Sequence, residues 1–318
     1  MREPKEKAKR LSNMTEIQET DGRHARLLSA KKARNDEFYT LYESISDEVS
    51  HYNGAFVGKH VLCPCDDYRH SEFARFFRER FSDLGLSRLT VSNFDIGEGA
   101  WVYTFDGVSE TAERADGNGS FDSEQGKRLM SECDVVVTNP PFSLIRGFAV
   151  QTDRLAKQFL FVGPYNLATY KNTFPLFRDG RMWVGCTSPK KFLVPEHDPS
   201  NRDQRIDPVT GDVYQRFHGN VVWFTNMEHD MTGRRLDMDF RFDPSVNRRY
   251  DNADAVDCPS LDKIPSDYDG LMGVPVSFLS VYNPGQFELV GVRHGDDGKD
   301  LTIGGKTKFA RILIRKKK

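Results

Sequence analysis

Apolar positions along the chain switch between two rhythms. In "NDEFYTLYESISDEVSHY", residues 35–52, Phe38, Leu41, Tyr42, Ile45 and Val49 recur at helical spacing and predict an amphipathic helix. Val61–Cys65 is a short apolar run of the kind a buried strand makes. Ser71 then stands where a cap belongs, ahead of a helix with an apolar face of Phe73, Phe76, Phe77 and Phe81. "RLTVSNFD" predicts a second strand ending at Asp95, and "AWVYTFDG" a third strand or a hairpin arm. Val108 to Ser123 is polar and Gly-rich and reads as a loop. A helix over Glu124–Ser131, a strand over Val135–Thr138 and a helix over Leu144–Ala156 follow, then the strands "KQFLFVG", "RMWVGCT" and "GNVVWFT". From Val276 to Ile314 the pattern reads as strands, with "LTIGGKTKFARILI" folding back at Gly304-Gly305. Alternating strands and helices predict an α/β fold with a mainly parallel sheet and helices on both faces.

Composition narrows the class. With 318 residues, 38% hydrophobic and 29% charged, the chain can build a sizeable core. No apolar run reaches the ~20 residues of a membrane span. The N-terminus is charged from Arg2 and carries Glu3, Glu6, Glu16, Glu19 and Asp21, unlike a secretory or transit signal, so a cytoplasmic protein is expected. Cys63, Cys65, Cys133, Cys186 and Cys258 are scattered and odd in number, which fits neither a disulfide framework nor a metal site. The net charge of −2 hides an uneven distribution. Residues 1–34 read as a basic, flexible arm, with Arg23, Arg26, Lys31, Lys32 and Arg34 close together. Residues 35–318 then form one domain, with polar excursions at about 188–217 and 227–265.

The strand 135–138 ends in Asn139-Pro140-Pro141-Phe142. Each proline fixes φ and has no N–H, so the string is stiff and its carbonyls meet few local donors. It offers an exocyclic amine two fixed acceptors, the Asn139 side-chain oxygen and the Pro140 carbonyl. An aromatic amine is a weak nucleophile because its lone pair spreads into the ring. Two acceptors on its N–H bonds favour a tetrahedral nitrogen and localise that pair. Phe142 can stack on the ring. No strong base is required, because the amine becomes acidic once its new bond has formed. A Pro-Pro turn that simply ends a strand gives the same letters; the position between a buried strand and a helix favours the functional reading. Ligands of such sheets bind at the carboxyl ends of strands, where Cys63–Asp67, Asp95 and Asn139–Phe142 all fall.

"TNPPFS" resembles motif IV of amino-directed methyltransferases. "DEFYT", "CDD", "DVVVTNPPFSL", "WFTN", "YDNADA", "GVPVSFL", "YNPGQFELV" and "ARILI" resemble, in order, the EcoRI-type adenine-specific DNA methyltransferases, over about residues 33–314. The resemblance implies a Rossmann-like class I methyltransferase fold. It implies methyl transfer from S-adenosylmethionine to N6 of an adenine flipped out of double-stranded DNA, since the amine is otherwise paired and stacked. Asn139, Pro140 and Phe142 would then hold the adenine and Pro141 would stiffen the loop. Phe38, Tyr39, Thr40, Pro64, Cys65, Asp66, Asp95 and Asn139 would contact the cofactor. Among these, Asp66 is the candidate for its ammonium group and Asp95 for its ribose. Phe38 equally fits the first turn of a helix, and Asp95 a surface turn. The first strand end has Cys63-Pro64-Cys65-Asp66-Asp67 in place of the Gly-rich loop common in such enzymes. In "GNGSFDS", Asn118 and Ser120 stand where acids are expected near the cofactor adenine. The DNA-reading parts would lie in the two excursions.

The same four-residue string could serve another planar amine or amide, such as guanine N2 in RNA or a protein glutamine. A DNA-binding protein that has lost catalysis is a third reading, against which the intact string speaks. A cognate restriction endonuclease system, if it accompanies the protein, is expected to form no stable complex with it.

Overall fold

The computed structural model describes residues 38–95, 99–194, 197–217, 219–293 and 300–317. The expected arm and its basic stretch lie outside them, as do residues 35–37 of the first expected helix.

Among the described residues, the largest sheet has eight strands. Its centre is β3 (Arg88–Ser92), β2 (His60–Cys63), β6 (Val135–Thr138) and β7 (Gln158–Pro164), in that spatial order and all parallel. Beyond β3 lie β4 (Trp101–Phe105) and β5 (Glu110–Arg114); beyond β7 lie β12 (Val221–Thr225) and β8 (Trp183–Val184). All four of these outer pairings are antiparallel. The sheet is therefore mixed, parallel only at its centre, which corrects the expectation of a mainly parallel one. Residues Ala100–Gly107 are a hairpin arm, and their partner β5 arises inside the stretch read as loop. Every residue of β5 is exposed, so no apolar rhythm announced it.

Neighbouring side chains on the central strands point to opposite faces. Val61, Cys63, Val135, Val137, Leu160 and Val162 meet α1 (Tyr42–Val49) and α2 (Glu72–Glu79) on one face, through Ile45, Val49, Phe73, Phe76 and Phe77. On the other face, Leu62, Val136, Phe159 and Phe161 meet three helices. These are α3 (Glu124–Glu132), α4 (Ile145–Arg154) and α5 (Phe174–Arg178). Ser71 caps α2 as expected, its Oγ accepting from the Phe73 N–H at 3.1 Å.

The first expected helix starts later than its apolar spacing implied. Tyr39–Thr40 is a strand, β1, because it pairs antiparallel with β9 (Lys191–Leu193). Together with β10 (Gln204–Ile206) and β11 (Val213–Arg216) they form a four-stranded sheet in the order β1-β9-β11-β10. A third sheet, β13-β14-β18-β15, joins Ala255–Asp257, Leu271–Pro275, Arg311–Lys316 and Phe287–Arg293. Its inner residues Val256, Met272, Ile312 and Ile314 share a core cluster with Val136 and Phe161 of the main sheet. The turn at Gly304-Gly305 forms as expected, between β16 (Thr302–Ile303) and β17 (Lys306–Thr307). Both glycines have positive φ, +58° and +71°, the geometry a two-residue hairpin turn requires. Val276–Val281, read as strand, is a 3-10 turn after Pro275.

Candidate active site at the carboxyl edge of the central strands

The parallel centre aligns the carboxyl ends of β2, β3 and β6 along one edge, and Asp66 ties them together. Its backbone N–H donates to the Ser92 carbonyl at the end of β3, at 3.0 Å. Its carboxylate accepts the Thr138 hydroxyl at the end of β6, at 2.7 Å, and the Ser71 hydroxyl at 2.6 Å. Only 8% of Asp66 is exposed. Burial pushes its carboxyl up to about 6, against the opposing pull of these two hydroxyls. No cation pairs with it among the described residues. Its neighbour Asp67 is different: it is half-exposed, holds Arg69 and is lowered despite some burial. Pro64 is buried and Cys65 half-buried beside Asp66, and burial raises the Cys65 thiol.

Asn139 is half-buried and Pro140 buried. The Asn139 Nδ2 donates to the Phe38 carbonyl. A carbonyl can only accept, so this bond fixes which way the amide faces and turns Oδ1 to the opposite side. Among the described residues, neither Asn139 Oδ1 nor the Pro140 carbonyl accepts a hydrogen bond; the Pro141 carbonyl accepts the Leu144 N–H at 2.9 Å. The loop thus holds two oxygens with unused lone pairs beside a half-buried Phe142. Phe142 leans on Phe38, with centroids 5.5 Å apart and planes at 37°, and lies 6.4 Å from Phe217. Phe38 also meets Phe192 and Phe217 edge-on.

Phe38 therefore buttresses the Asn-Pro-Pro-Phe loop through both its carbonyl and its ring. Thr40 and Tyr39, neighbours on a strand, face opposite ways. Thr40 is 3% exposed and its Oγ1 is buried with no hydrogen-bond partner among the described residues, whereas Tyr39 is 45% exposed. Asp95 lies three residues beyond β3, its N–H donating to the Asn118 carbonyl at 3.1 Å, which brings the "GNGSFDS" loop against this strand end. Gly119 must be glycine there: with φ +70°, a Cβ would lie 2.1 Å from the Asn93 carbonyl oxygen.

The sequence marks Ser71 only as a helix cap and not as a partner of Asp66; Thr138, which also holds Asp66, and Phe192 and Phe217, which pack on Phe38 behind the loop, are not singled out by it. Thr138 was within sight, directly before Asn139. Phe192 and Phe217 belong to the excursion, and only the pairing of β1 with β9 brings them here.

A central strand of a mixed α/β sheet that delivers a rigid pair of acceptors and an aromatic ring to a shared edge is the arrangement expected of an amino-directed methyltransferase. A family model described as "Adenine-specific methyltransferase EcoRI" matches residues 26–106 and 98–317. The chain belongs to that family. It is 36% identical to the Type II methyltransferase M.EcoRI of Escherichia coli, over 92% of this chain and 96% of that protein. It is 34% identical to M.MpnI of Mycoplasma pneumoniae (91% and 97% covered) and 33% identical to M.MgeORF184P of Mycoplasma genitalium (90% and 97% covered). No solved structure matches.

Proposed function

We propose that this protein transfers a methyl group from S-adenosylmethionine to N6 of an adenine flipped out of a specific double-stranded DNA sequence, within a Rossmann-like class I methyltransferase fold. The observation that carries the reading is the orientation of Asn139. Its amide NH2 is spent on the Phe38 carbonyl, so Oδ1 and the Pro140 carbonyl stand ready as acceptors for the two N–H bonds of an exocyclic amine. Membership of a family described as adenine-specific supports adenine as the ring, and the Type II methyltransferase relatives support DNA as its carrier.

The residues beside the loop fit the cofactor. Asp66 is a desolvated carboxylate compensated by two hydroxyls and, among the described residues, by no cation, which suits an ammonium group. Thr40 Oγ1 is a buried hydroxyl with no partner among the described residues, and a ligand would relieve that cost. Pro64, Cys65 and Phe38 would line the cofactor's side of the edge, and Asp95 would take its ribose hydroxyls. When bound, the cofactor supplies an electrophilic methyl group on sulfonium sulfur. Asn139 and Pro140 draw on the amine hydrogens and keep the nitrogen lone pair out of the ring. Phe142 holds the base plane, and Pro141 limits the loop's freedom so that the acceptors need no reorganisation. The amine proton passes to water once the nitrogen has been alkylated.

The test is labelled methyl transfer with DNA, RNA and protein acceptors, followed by detection of N6-methyladenine. Transfer to duplex DNA is expected. Asn139→Ala should lower kcat by about 10²- to 10³-fold while cofactor binding persists. Unchanged methylation by that variant, or methylation of RNA or protein in place of DNA, overturns the reading.

A further inference from the structure

Cross-strand partners share a face of a sheet, and residues two apart on a strand do too. In the β1-β9-β11-β10 sheet, Leu193 pairs with both Tyr39 and Tyr214, Tyr214 pairs with Arg205, and Lys191 pairs with Arg216. Register therefore places Tyr39, Tyr214, Lys191, Arg205 and Arg216 on one face. The opposite face carries Thr40, Phe192 and Gln215, all buried. Lys191, Arg205, Tyr214 and Arg216 line an open groove of about 370 Å³.

Charge in this groove runs against the molecule as a whole. Lys191, Arg205 and Arg216 are exposed, and none pairs with a carboxylate among the described residues, while the entire chain is at −2. Asp207 also lines the groove, but its Oδ1 accepts the Val209 and Thr210 N–H groups at 2.8 and 3.1 Å, where it closes the β10–β11 turn. Tyr214 lies under the Lys191 ammonium, 4.7 Å from ring centroid to Nζ. The face is also wired to the candidate active site. Phe38, next to Tyr39, takes the Asn139 amide, and Phe217, next to Arg216, packs on Phe38 at 5.1 Å.

We infer that this outer face seats a sugar-phosphate strand of the DNA substrate, with Lys191, Arg205 and Arg216 holding phosphates. Tyr39 and Tyr214 give it a flat floor for sugars or an unstacked base. The inference rests on the reading of duplex DNA as the substrate. It assigns Tyr39 to the nucleic acid and away from the cofactor, because strand alternation turns it from Thr40. Arginine and lysine here act as sequence-independent anchors that fix the register of the duplex relative to the loop.

The experiment measures binding of a short fluorescent duplex against salt for wild type, Lys191→Gln, Arg205→Gln, Arg216→Gln and the triple variant. Arg128→Gln on α3 serves as control. Each groove substitution should reduce the slope of log affinity against log salt by about 0.9. The triple variant should escape roughly 40-fold of the affinity loss between about 50 and 200 mM salt. KM for DNA should rise with kcat at saturating DNA held, and S-adenosylmethionine affinity should match wild type, which also checks folding. Should the triple variant fail to fold, the single variants carry the same slope test. Slopes equal to wild type, with wild type still methylating DNA, overturn the groove assignment alone. Failure of wild type to methylate DNA overturns the underlying reading instead.

Discussion

Asp66 must carry its charge where water hardly reaches. Its ordinary carboxyl value of 3.8 is raised to about 6 by burial. The folded protein therefore holds that proton more tightly than the unfolded chain does. The sign follows: Asp66 favours the fold fully below about pH 4, and that contribution is lost as pH rises through about 6. A cofactor ammonium works the other way, since it prefers the ionised carboxylate. S-adenosylmethionine affinity should climb as pH rises through about 6 and then level off. Asp66→Asn keeps the size and loses the charge. It should weaken cofactor binding by roughly 10- to 100-fold, the worth of a hydrogen bond to a charged group, and flatten the pH profile. Calorimetric titration across this pH window reads both effects. A variant that binds as tightly as wild type, with the same pH profile, would remove Asp66 from the cofactor site.

Elements show how one residue serves two structures. The Ser71 hydroxyl oxygen accepts from the N–H of Phe73 at the start of α2, and its hydrogen goes to Asp66. Ser71→Ala should cost about 1 kcal/mol in denaturant midpoint measurements from the lost cap and weaken the cofactor as well. Ser71→Thr should restore both. An alanine variant with wild-type stability and cofactor affinity would show that neither bond matters. The cap was legible because a serine ahead of four spaced phenylalanines is a local signal. So was the passage from β6 through Asn139-Pro140-Pro141-Phe142 into α4, where a valine run meets two prolines. β1 was not legible: Tyr39–Thr40 becomes strand only by pairing with Phe192–Leu193, far along the chain. β5 was missed because its exposed, mostly polar residues are held by β4 rather than by burial. The same reason explains why the helical spacing of Phe38 misled, and why its role as a carbonyl acceptor for Asn139 could not be read in advance. Local punctuation marks the loop; the register that supports it is a long-range property.

At the scale of the whole molecule, the question is whether the third sheet stands on its own. Its central strand β18 lies between β14 and β15, and Ile312 and Ile314 are fully buried. The cluster that contains them runs without interruption to Val136, Phe159 and Phe161 under the main sheet. A cavity opened at Ile314 should therefore be felt by the sheet that carries the Asn-Pro-Pro-Phe loop. Ile314→Ala should destabilise by about 2–5 kcal/mol, a large share of the ~5–15 kcal/mol that holds a typical protein together. The chain's three tryptophans, Trp101, Trp183 and Trp223, all belong to main-sheet strands, so their fluorescence reports on the main sheet alone. If the shared core makes one cooperative unit, urea unfolding of Ile314→Ala should show a lowered midpoint by tryptophan fluorescence that coincides with the midpoint by circular dichroism. A tryptophan transition left at the wild-type midpoint, with an earlier transition seen only by circular dichroism, would mean that the third sheet unfolds separately and that its contacts do not stabilise the candidate active site.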